Sequence, residues 1–540
     1  MSTFKSQVKP LSERFLNNRV GMLKLVKQLR DLETRAIKAS NKRRSIFEKR
    51  GQIPPHDRIA HLLDPGMPFL RLHTLSNYLF EDSNPETSIP GASVICGIGF
   101  IKGVRCMIWV DDSGIRAGSY TPTTVSTGLS IQSIARRQKL PLVHLVESAG
   151  ANLMEFTVEN WVEAGALFRN LAQLSAAGIP SLTVLHGPST AGGAYMPGLS
   201  DFVVGVKENG LAALGGVALV HSATGEVAEE RELGGSEMHA NVSGLVEYLA
   251  ENDAHGLSIA RDIIGRLQWN KNLHLPHRFA TKEPLLSSEE LVGIVSINYK
   301  DPFDIREVIT RIVDASEFDE FKPRYGCATI CLHASIMGFS CGIIANNGPI
   351  DPCGATKAAQ FFQLCDQTEL PLIFLHNTTG YLVGTESERA GMIKHGAKMI
   401  QAVSNIRIPK ISMIIGASFG AGNYGMCGAA YEPDFLFAWP NAATNVMGGE
   451  QAAKTMTQVA ESIATRKGKK VDRSALVKQE KFITDYFIRQ QDAFYTAGRN
   501  LVHSVIDPRD SRRVLGFALE TCSEAVIRKC QANSYGVARF

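Results

Sequence analysis

Two glycine-rich stretches have the composition of a site built from backbone. One runs Gly187-Pro188-Ser189-Thr190-Ala191-Gly192-Gly193-Ala194-Tyr195, the other Gly416-Ala417-Ser418-Phe419-Gly420-Ala421-Gly422-Asn423-Tyr424. Laid over each other they match at one offset (416 − 187 = 229), with Gly187 on Gly416, Ser189 on Ser418, Gly193 on Gly422 and Tyr195 on Tyr424. A backbone with few side chains can bring its own N–H groups to an oxygen that gains negative charge during a reaction. Two such loops could hold two oxyanions, as a transfer between two carbonyl-containing partners requires. The competing explanation is close packing of a helix on a sheet, which accounts for one loop more naturally than for a matched pair. Gly420-Ala-Gly-Asn-Tyr-Gly425 also spells Gly-x-Gly-x-x-Gly. As a dinucleotide signal it is weak, because no acidic residue follows about twenty positions later and the Gly187 twin lacks the spelling. No P-loop, His-Glu-x-x-His or convincing nucleophile elbow accompanies it.

The elements that must carry these loops repeat as well. Pro141-Leu-Val-His-Leu-Val-Glu-Ser-Ala-Gly150 precedes the first loop and Pro371-Leu-Ile-Phe-Leu-His-Asn-Thr-Thr-Gly380 the second. Farther upstream, Val104-Arg-Cys-Met-Ile-Trp-Val-Asp111 resembles Phe339-Ser-Cys-Gly-Ile-Ile-Ala-Asn346. Each half reads as strand, helix, strand, glycine turn, helix, which predicts two homologous α/β domains with mainly parallel sheets. Leu11 to Glu48 has helical apolar spacing, an amphipathic lead-in. Trp269 to Ser296 is polar and contains Pro276 and Pro284, a candidate linker. The expected domains are residues 1–285 and 286–540.

Composition narrows the class. A chain of 540 residues, 44% apolar and 20% charged, has the make-up of a soluble protein with more than one core. A net charge of +4 is too small for a nucleic-acid surface. Lys42-Arg43-Arg44 and Arg466-Lys467-Gly468-Lys469-Lys470 read as solvated faces, with a phosphate-bearing ligand as the alternative. The ten cysteines lack metal-ligand spacing, so buried thiols and no metal are expected. Ile411 to Tyr431 carries no charge, but five glycines interrupt it. A buried strand, glycine turn and helix are expected there, and no membrane span. The first residues show neither a signal peptide nor a presequence, so the expected compartment is the cytoplasm.

Several longer stretches resemble the carboxyltransferase (beta) subunits of biotin-dependent acyl-CoA carboxylases. They are Leu62-Leu-Asp-Pro-Gly-Met-Pro-Phe-Leu70, Thr190-Ala-Gly-Gly-Ala-Tyr-Met-Pro197, Arg306-Glu-Val-Ile-Thr-Arg-Ile-Val-Asp314 and Gly420-Ala-Gly-Asn-Tyr-Gly-Met-Cys-Gly428. Trp439-Pro-Asn-Ala442, Val446-Met-Gly-Gly-Glu-Gln451 and Val505-Ile-Asp-Pro-Arg-Asp510 add to the likeness. The second loop and Trp439-Pro-Asn-Ala442 look like the 3-methylcrotonyl-CoA and geranyl-CoA branch. The resemblance implies two crotonase-like (ββα superhelix) domains in tandem and a site between subunits, hence at least a dimer and a hexameric core. It implies that Gly192 and Gly193 bind the enolate oxygen of an acyl-CoA, and Ala421 and Gly422 the ureido oxygen of biotin. Once carboxybiotin has released CO2, its ureido anion can take the substrate proton, so no side-chain base is needed. The chain has no ATP-binding domain and no biotinylation site. Biotin must arrive on an alpha subunit with biotin carboxylase and carrier domains.

Departures from that family cluster in the first half. The family usually has Asp-Ser-Gly-Gly-Ala where Glu147-Ser148-Ala149-Gly150-Ala151 stands, and Asn152 to Thr157 also departs. Ala164-Gly165 stands where Phe-Gly is expected, so a wider pocket and a geranyl-like acyl group follow if Ala164 lines it; drift in helix packing is the alternative. Arg116 is a candidate for a coenzyme A phosphate, and Tyr195 for the acyl pocket. Thr379, Gly380, Phe419 and Tyr424 are candidates for the biotin side. A propionyl-CoA carboxyltransferase, a decarboxylase or transcarboxylase of the same fold, and a catalytically silent scaffold are the competing functions.

Overall fold

A computed structural model describes residues 2–151, 157–273, 279–467 and 473–537. The chain opens on a two-residue strand, β1 (Ser2–Thr3), and a long helix, Glu13–Asn41. The helix buries Met22, Val26, Leu29 and Leu32, an apolar stripe at helical spacing. It ends where Lys42 and Arg43 turn the chain, and a short helix, Arg44–Lys49, follows.

The chain divides into two compact units. One comprises Arg30–Pro276, Gly498–Asn500 and Thr521–Phe540. Its strands are β2 (Leu70–Leu72), β3 (Val94–Ile101), β4 (Val104–Asp111), β5 (Leu142–Ser148), β6 (Ser181–Thr190), β7 (Phe202–Val206), β8 (Leu211–Ala213) and β9 (Tyr248–Ala250). They lie in the order β2-β3-β4-β5-β6-β7-β9, with β8 paired to β6. The pairs from β2 to β4 are antiparallel and the rest parallel.

The other unit comprises Met1–Leu29, His277–Ala497 and Leu501–Glu520. Its strands are β10 (Glu317–Glu320), β11 (Thr329–Ile336), β12 (Phe339–Asn346), β13 (Leu372–Thr378), β14 (Lys410–Phe419), β15 (Phe435–Ala438), β16 (Ala443–Asn445) and β17 (Ser504–Val505). The order is β1-β10-β11-β12-β13-β14-β15-β17, with β16 paired to β14. Strand direction again changes from antiparallel to parallel after β12. Apart from β1 the two sheets share one topology, the duplicated α/β architecture that the sequence predicts.

Local signals explain the repeat. Central parallel strands are covered on both faces and read as near-continuous apolar runs. Leu142-Val143 with Leu145-Val146, and Ile411 with Met413 to Ile415, supply them, all buried. A helix follows β4 and β12 in each unit, and both helices start alike. Thr121 caps Pro122–Arg137 by accepting from Thr124 N, and Asp351 caps Pro352–Gln367 by accepting from Gly354 N. Each helix has proline in its first turn, where no N–H is needed.

Two stretches singled out in the sequence take definite form. Ile411 to Tyr431 is most of β14, the short helix Gly420–Gly425 and a turn at Ala429–Tyr431. Among the described residues no helix is long and apolar enough to cross a membrane. The candidate linker ends in packed structure. Ser288–Glu290 and Leu291–Ile294 turn helically, and Leu291, Val292 and Ile294 are buried. Their apolar run is too short to stand out beside the polar, proline-bearing residues before it.

The core of the second unit gathers Phe361, Phe362, Phe374, Met399 and Val403, all fully buried. Phe362 and Phe374 meet edge to face with ring centroids 5.5 Å apart. Phe374→Ala is expected to lower unfolding stability by about 3–5 kcal/mol, read from the midpoint of chemical denaturation. A loss below about 1 kcal/mol would contradict this packing.

Candidate functional site

The two glycine-rich loops leave the ends of β6 and β14, beside β5 and β13. Both strand pairs slip register at the same place. Val146 pairs with Leu185 but Ser148 with Ser189; His376 pairs with Ile414 but Thr378 with Ser418. After the slip, Gly150 takes φ +79° and a Cβ there would lie 3.2 Å from the Thr190 carbonyl oxygen. Gly380 takes φ +118° and its Cβ would lie 3.4 Å from the Phe419 carbonyl oxygen. Left-handed backbone and close approach together favour glycine at both points. Gly150 N donates to Ser148 Oγ at 3.1 Å, and Gly380 N to Thr378 Oγ1 at 3.2 Å.

The loops themselves repeat in detail. Ala191 and Gly420 hold matched left-handed conformations, φ +53° and +54°. Gly192 and Ala421 are exposed, whereas Gly193 and Gly422 are buried. A Cβ on Gly422 would come within 2.8 Å of Gly380 Cα. Tyr195 and Tyr424 follow at 48% and 46% exposure, so neither is a core residue. Each unit therefore presents a narrow cradle of backbone beside one open position and one half-exposed tyrosine. Such a cradle can offer N–H groups to an anion.

Support beneath the loops differs between the units. Glu147 is buried under the first loop, and a Cβ on Gly187 would sit 2.4 Å from Glu147 Cγ. Arg58 donates to Glu147 Oε2 at 2.6 Å and Gln52 to Oε1 at 3.1 Å. His186 Nδ1 lies 2.9 Å from Asp253. Burial and the Arg58 charge hold the His186 pKa below its ordinary value. Under the second loop Asn377 takes the place of Glu147, and a Cβ on Gly416 would sit 2.3 Å from Asn377 Oδ1. Here Asn423 donates to Ser418 Oγ at 2.8 Å, and His376 Nδ1 lies 2.9 Å from the same oxygen. Burial pushes the His376 pKa down to about 3, so its imidazole is neutral.

The remaining candidates fall as follows. Arg116 is half exposed, pairs with Glu81 and borders a cavity of about 370 Å³ with Lys42 and Arg43, over a floor of Asn77, Ser93 and Thr121. Ala164 lies on the helix Val158–Ala176, one turn before Phe168. Phe168 Cζ is 3.6 Å from the position of a Cβ on Gly192, and its ring packs on Tyr195 at 5.7 Å. Among the described residues Phe168 is the one side chain within 4 Å of a Cβ on Gly192, and a single apolar helix position does not mark it in the sequence. Thr379 is exposed at the end of β13. Phe419 points inward and packs edge-on against Tyr299 at 5.0 Å. Residues 152–156, in the stretch that departs from the family pattern, lie outside the described residues. Among the described residues no group of three or more His, Cys, Asp or Glu could hold a metal ion.

A family model for the carboxyl transferase domain matches residues 48–533. A probable biotin-dependent acyl-coenzyme A carboxylase beta2 subunit of Mycobacterium tuberculosis is 45% identical over 492 residues, 91% of each chain. The mitochondrial methylcrotonoyl-CoA carboxylase beta chain of Dictyostelium discoideum is 40% identical over 532 residues, 98% of this chain and 90% of that one. The crystal structure of the geranyl-CoA carboxylase beta subunit of P. aeruginosa matches with a TM-score of 0.93 at 48% identity, over 100% of both chains.

His376 supplies a pH test. Its folded pKa of about 3 lies below the ordinary 6.5, so the unfolded chain binds the proton more readily. Its contribution to stability is complete above pH 6.5 and is lost as pH falls towards 3, by up to about 1.4 kcal/mol per pH unit. Urea unfolding at pH 7 and pH 5 should show a smaller acid loss in His376→Asn than in the native chain. Equal losses would refute the assignment.

Proposed function

The chain belongs to the carboxyl transferase domain family, as a carboxyltransferase of the biotin-dependent acyl-CoA carboxylase type, and from that premise we propose its substrate and the roles of its two loops. It carboxylates a branched, unsaturated acyl-CoA of the 3-methylcrotonyl or geranyl kind. Proteins named for both substrates match nearly its whole length. One observation carries the division of labour: the same backbone cradle occurs once in each unit, down to the left-handed residues Ala191 and Gly420.

The first cradle, Gly192 and Gly193, holds the thioester oxygen as the substrate becomes an enolate. The second, Ala421 and Gly422, holds the ureido oxygen of biotin. The fit rests on shape: Gly422 and Gly380 approach too closely for any Cβ, and the neighbouring Ala421 is exposed. Bound there, biotin on a partner chain supplies the carboxyl group and a base for the substrate proton. The chain's own residues orient the thioester and stabilise charge as it develops. Arg116, Lys42 and Arg43 border a cavity suited to the phosphates of coenzyme A. Ala164, one turn from Phe168, leaves room for a long acyl chain where a larger side chain would fill it. Thr379 and Tyr424 flank the biotin cradle. The acyl cradle is assigned to residues 1–285 and the biotin cradle to residues 286–540. The working protein is a cytoplasmic homo-oligomer of two or more copies with an alpha subunit bearing biotin carboxylase and biotin carrier domains.

The direct test is carbon fixation by the purified chain with that partner, ATP and bicarbonate. Acceptors should run from propionyl-CoA through 3-methylcrotonyl-CoA to geranyl-CoA. Failure with every acceptor refutes the function, and a preference for propionyl-CoA refutes the substrate class. Gly193→Val and Gly422→Val should each lower kcat by about 100- to 1000-fold. Ala164→Phe should lower kcat/KM for geranyl-CoA by about 10- to 100-fold more than for propionyl-CoA. An equal effect on both acceptors would remove Ala164 from the acyl pocket.

A further inference from the structure

The two cradles stand on different chemistry at matched positions. In the first unit the strand ends beside the loop carry Asp111 and Glu147, two buried carboxylates. In the second the same positions carry Asn346 and Asn377, two amides. The backbone contact is retained: Glu147 N donates to Asp111 Oδ2 at 3.3 Å, and Asn377 N to Asn346 Oδ1 at 3.5 Å. The surroundings are not. Both Glu147 oxygens are engaged, by Arg58 at 2.6 Å and Gln52 at 3.1 Å. Gln52 also donates to the carbonyl oxygen of His186, the residue before Gly187, at 2.7 Å. Arg58 Nε lies 3.4 Å from Asp253, whose other oxygen faces His186. Asp253 Oδ2 accepts from Ile53 N at 2.8 Å. Arg58, Glu147, His186 and Asp253 are at most 3% exposed. By contrast, the Asn377 side chain donates, among the described residues, only to Asn346 O, at 3.4 Å.

We propose that Glu147, locked by Arg58 and Gln52 and backed by Asp253, is the positioning residue of the acyl-side cradle. It fixes β6 through its contact with Gly187, five residues before Gly192. Charge-assisted hydrogen bonds are short and directional, so a carboxylate held at both oxygens presents a stiff wall. Gly187 can rest on that wall only because it has no Cβ. The cradle must meet a developing oxyanion, and a displacement of about 1 Å costs on the order of a hundredfold in rate. The biotin-side cradle rests on neutral groups: Gly416 lies against the Asn377 amide, and Asn423 and His376 meet Ser418 Oγ, as Ser189 meets Gly193 O within the acyl-side loop.

This inference rests on the acyl-side role of Gly192 and Gly193, and the test separates the two. The assembled enzyme, with its biotin-bearing partner, is assayed with 3-methylcrotonyl-CoA and geranyl-CoA. The variants are Glu147→Gln, of the same size but uncharged, and Arg58→Met/Glu147→Gln, which removes both charges of the pair while Asp253 keeps its contacts with His186 and Ile53 N. Both are expected to lose about tenfold to a hundredfold in kcat, while KM for the acyl-CoA moves by less than about threefold. The kinetic isotope effect with acyl-CoA deuterated at the carbon that loses its proton should rise, because the step served by the cradle has slowed. A purely structural role would lower the melting temperature and leave kcat of the folded enzyme and its isotope effect unchanged. A folded variant with kcat within about twofold of native, or an unchanged isotope effect, overturns the proposal. Native assemblies that fix no carbon on either acceptor refute the functional reading instead.

Discussion

Where β5 and β13 leave their sheets, a glycine passes so close to a neighbouring carbonyl that the backbone has one workable course. Gly150 lies against Thr190 O and Gly380 against Phe419 O. The register slip just before each glycine makes the approach possible, and Ser148 or Thr378 ties the turn from behind. The loops that follow inherit their shape from this contact. Gly192 and Ala421 reach the surface while Gly193 and Gly422 stay buried beneath them. The cradles are thus a consequence of how two parallel strands end side by side, which is why duplication of the unit duplicated the site.

The copies then diverged in how they hold one difficult residue. Gly420 adopts its left-handed conformation without strain, but Ala191 has a Cβ and pays about 1–2 kcal/mol for the same angle. Strained residues persist where the surroundings over-determine them. The first unit fixes the strand that leads to Ala191 through Glu147, Arg58, Gln52 and Asp253, whose contacts reach His186 and Gly187. The second has no strain to hold at this position, and neutral bonds among Asn423, Ser418 and His376 serve it. Strain and support lie on the same side.

Features set by local backbone chemistry were legible in the sequence. Matched glycines and apolar strand runs gave the repeat and the placing of both loops. Features set by long-range contacts were not. Arg58 and Asp253 are far apart in sequence and meet only through the fold. Glu147 and Asn377 sit in visibly matched segments, but which side of the strand they face depends on pleat and on a register slip that no motif announces. Phe419 illustrates the converse: its place beside the second loop was plain, and its inward direction, against Tyr299, was not.

The exchange of carboxylates for amides bears on the reaction as well as on the fold. A lone buried carboxylate beneath the enolate proposed for this loop would raise the energy of that charge. Glu147 is not alone, since Arg58 lies on it at 2.6 Å. Asp111 likewise accepts from Trp109 Nε1 at 3.0 Å and lies 3.1 Å from His144 Nε2. The Arg58 charge gives Glu147 a stiff, charge-assisted hydrogen bond and opposes its repulsive field at the loop. The amides of the second unit need no such compensation, and among the described residues its cradle stands on Asn346, Asn377, Ser418 and a neutral His376. One backbone device thus operates over two electrostatic floors, and the charged floor lies under the loop assigned to the acyl-CoA.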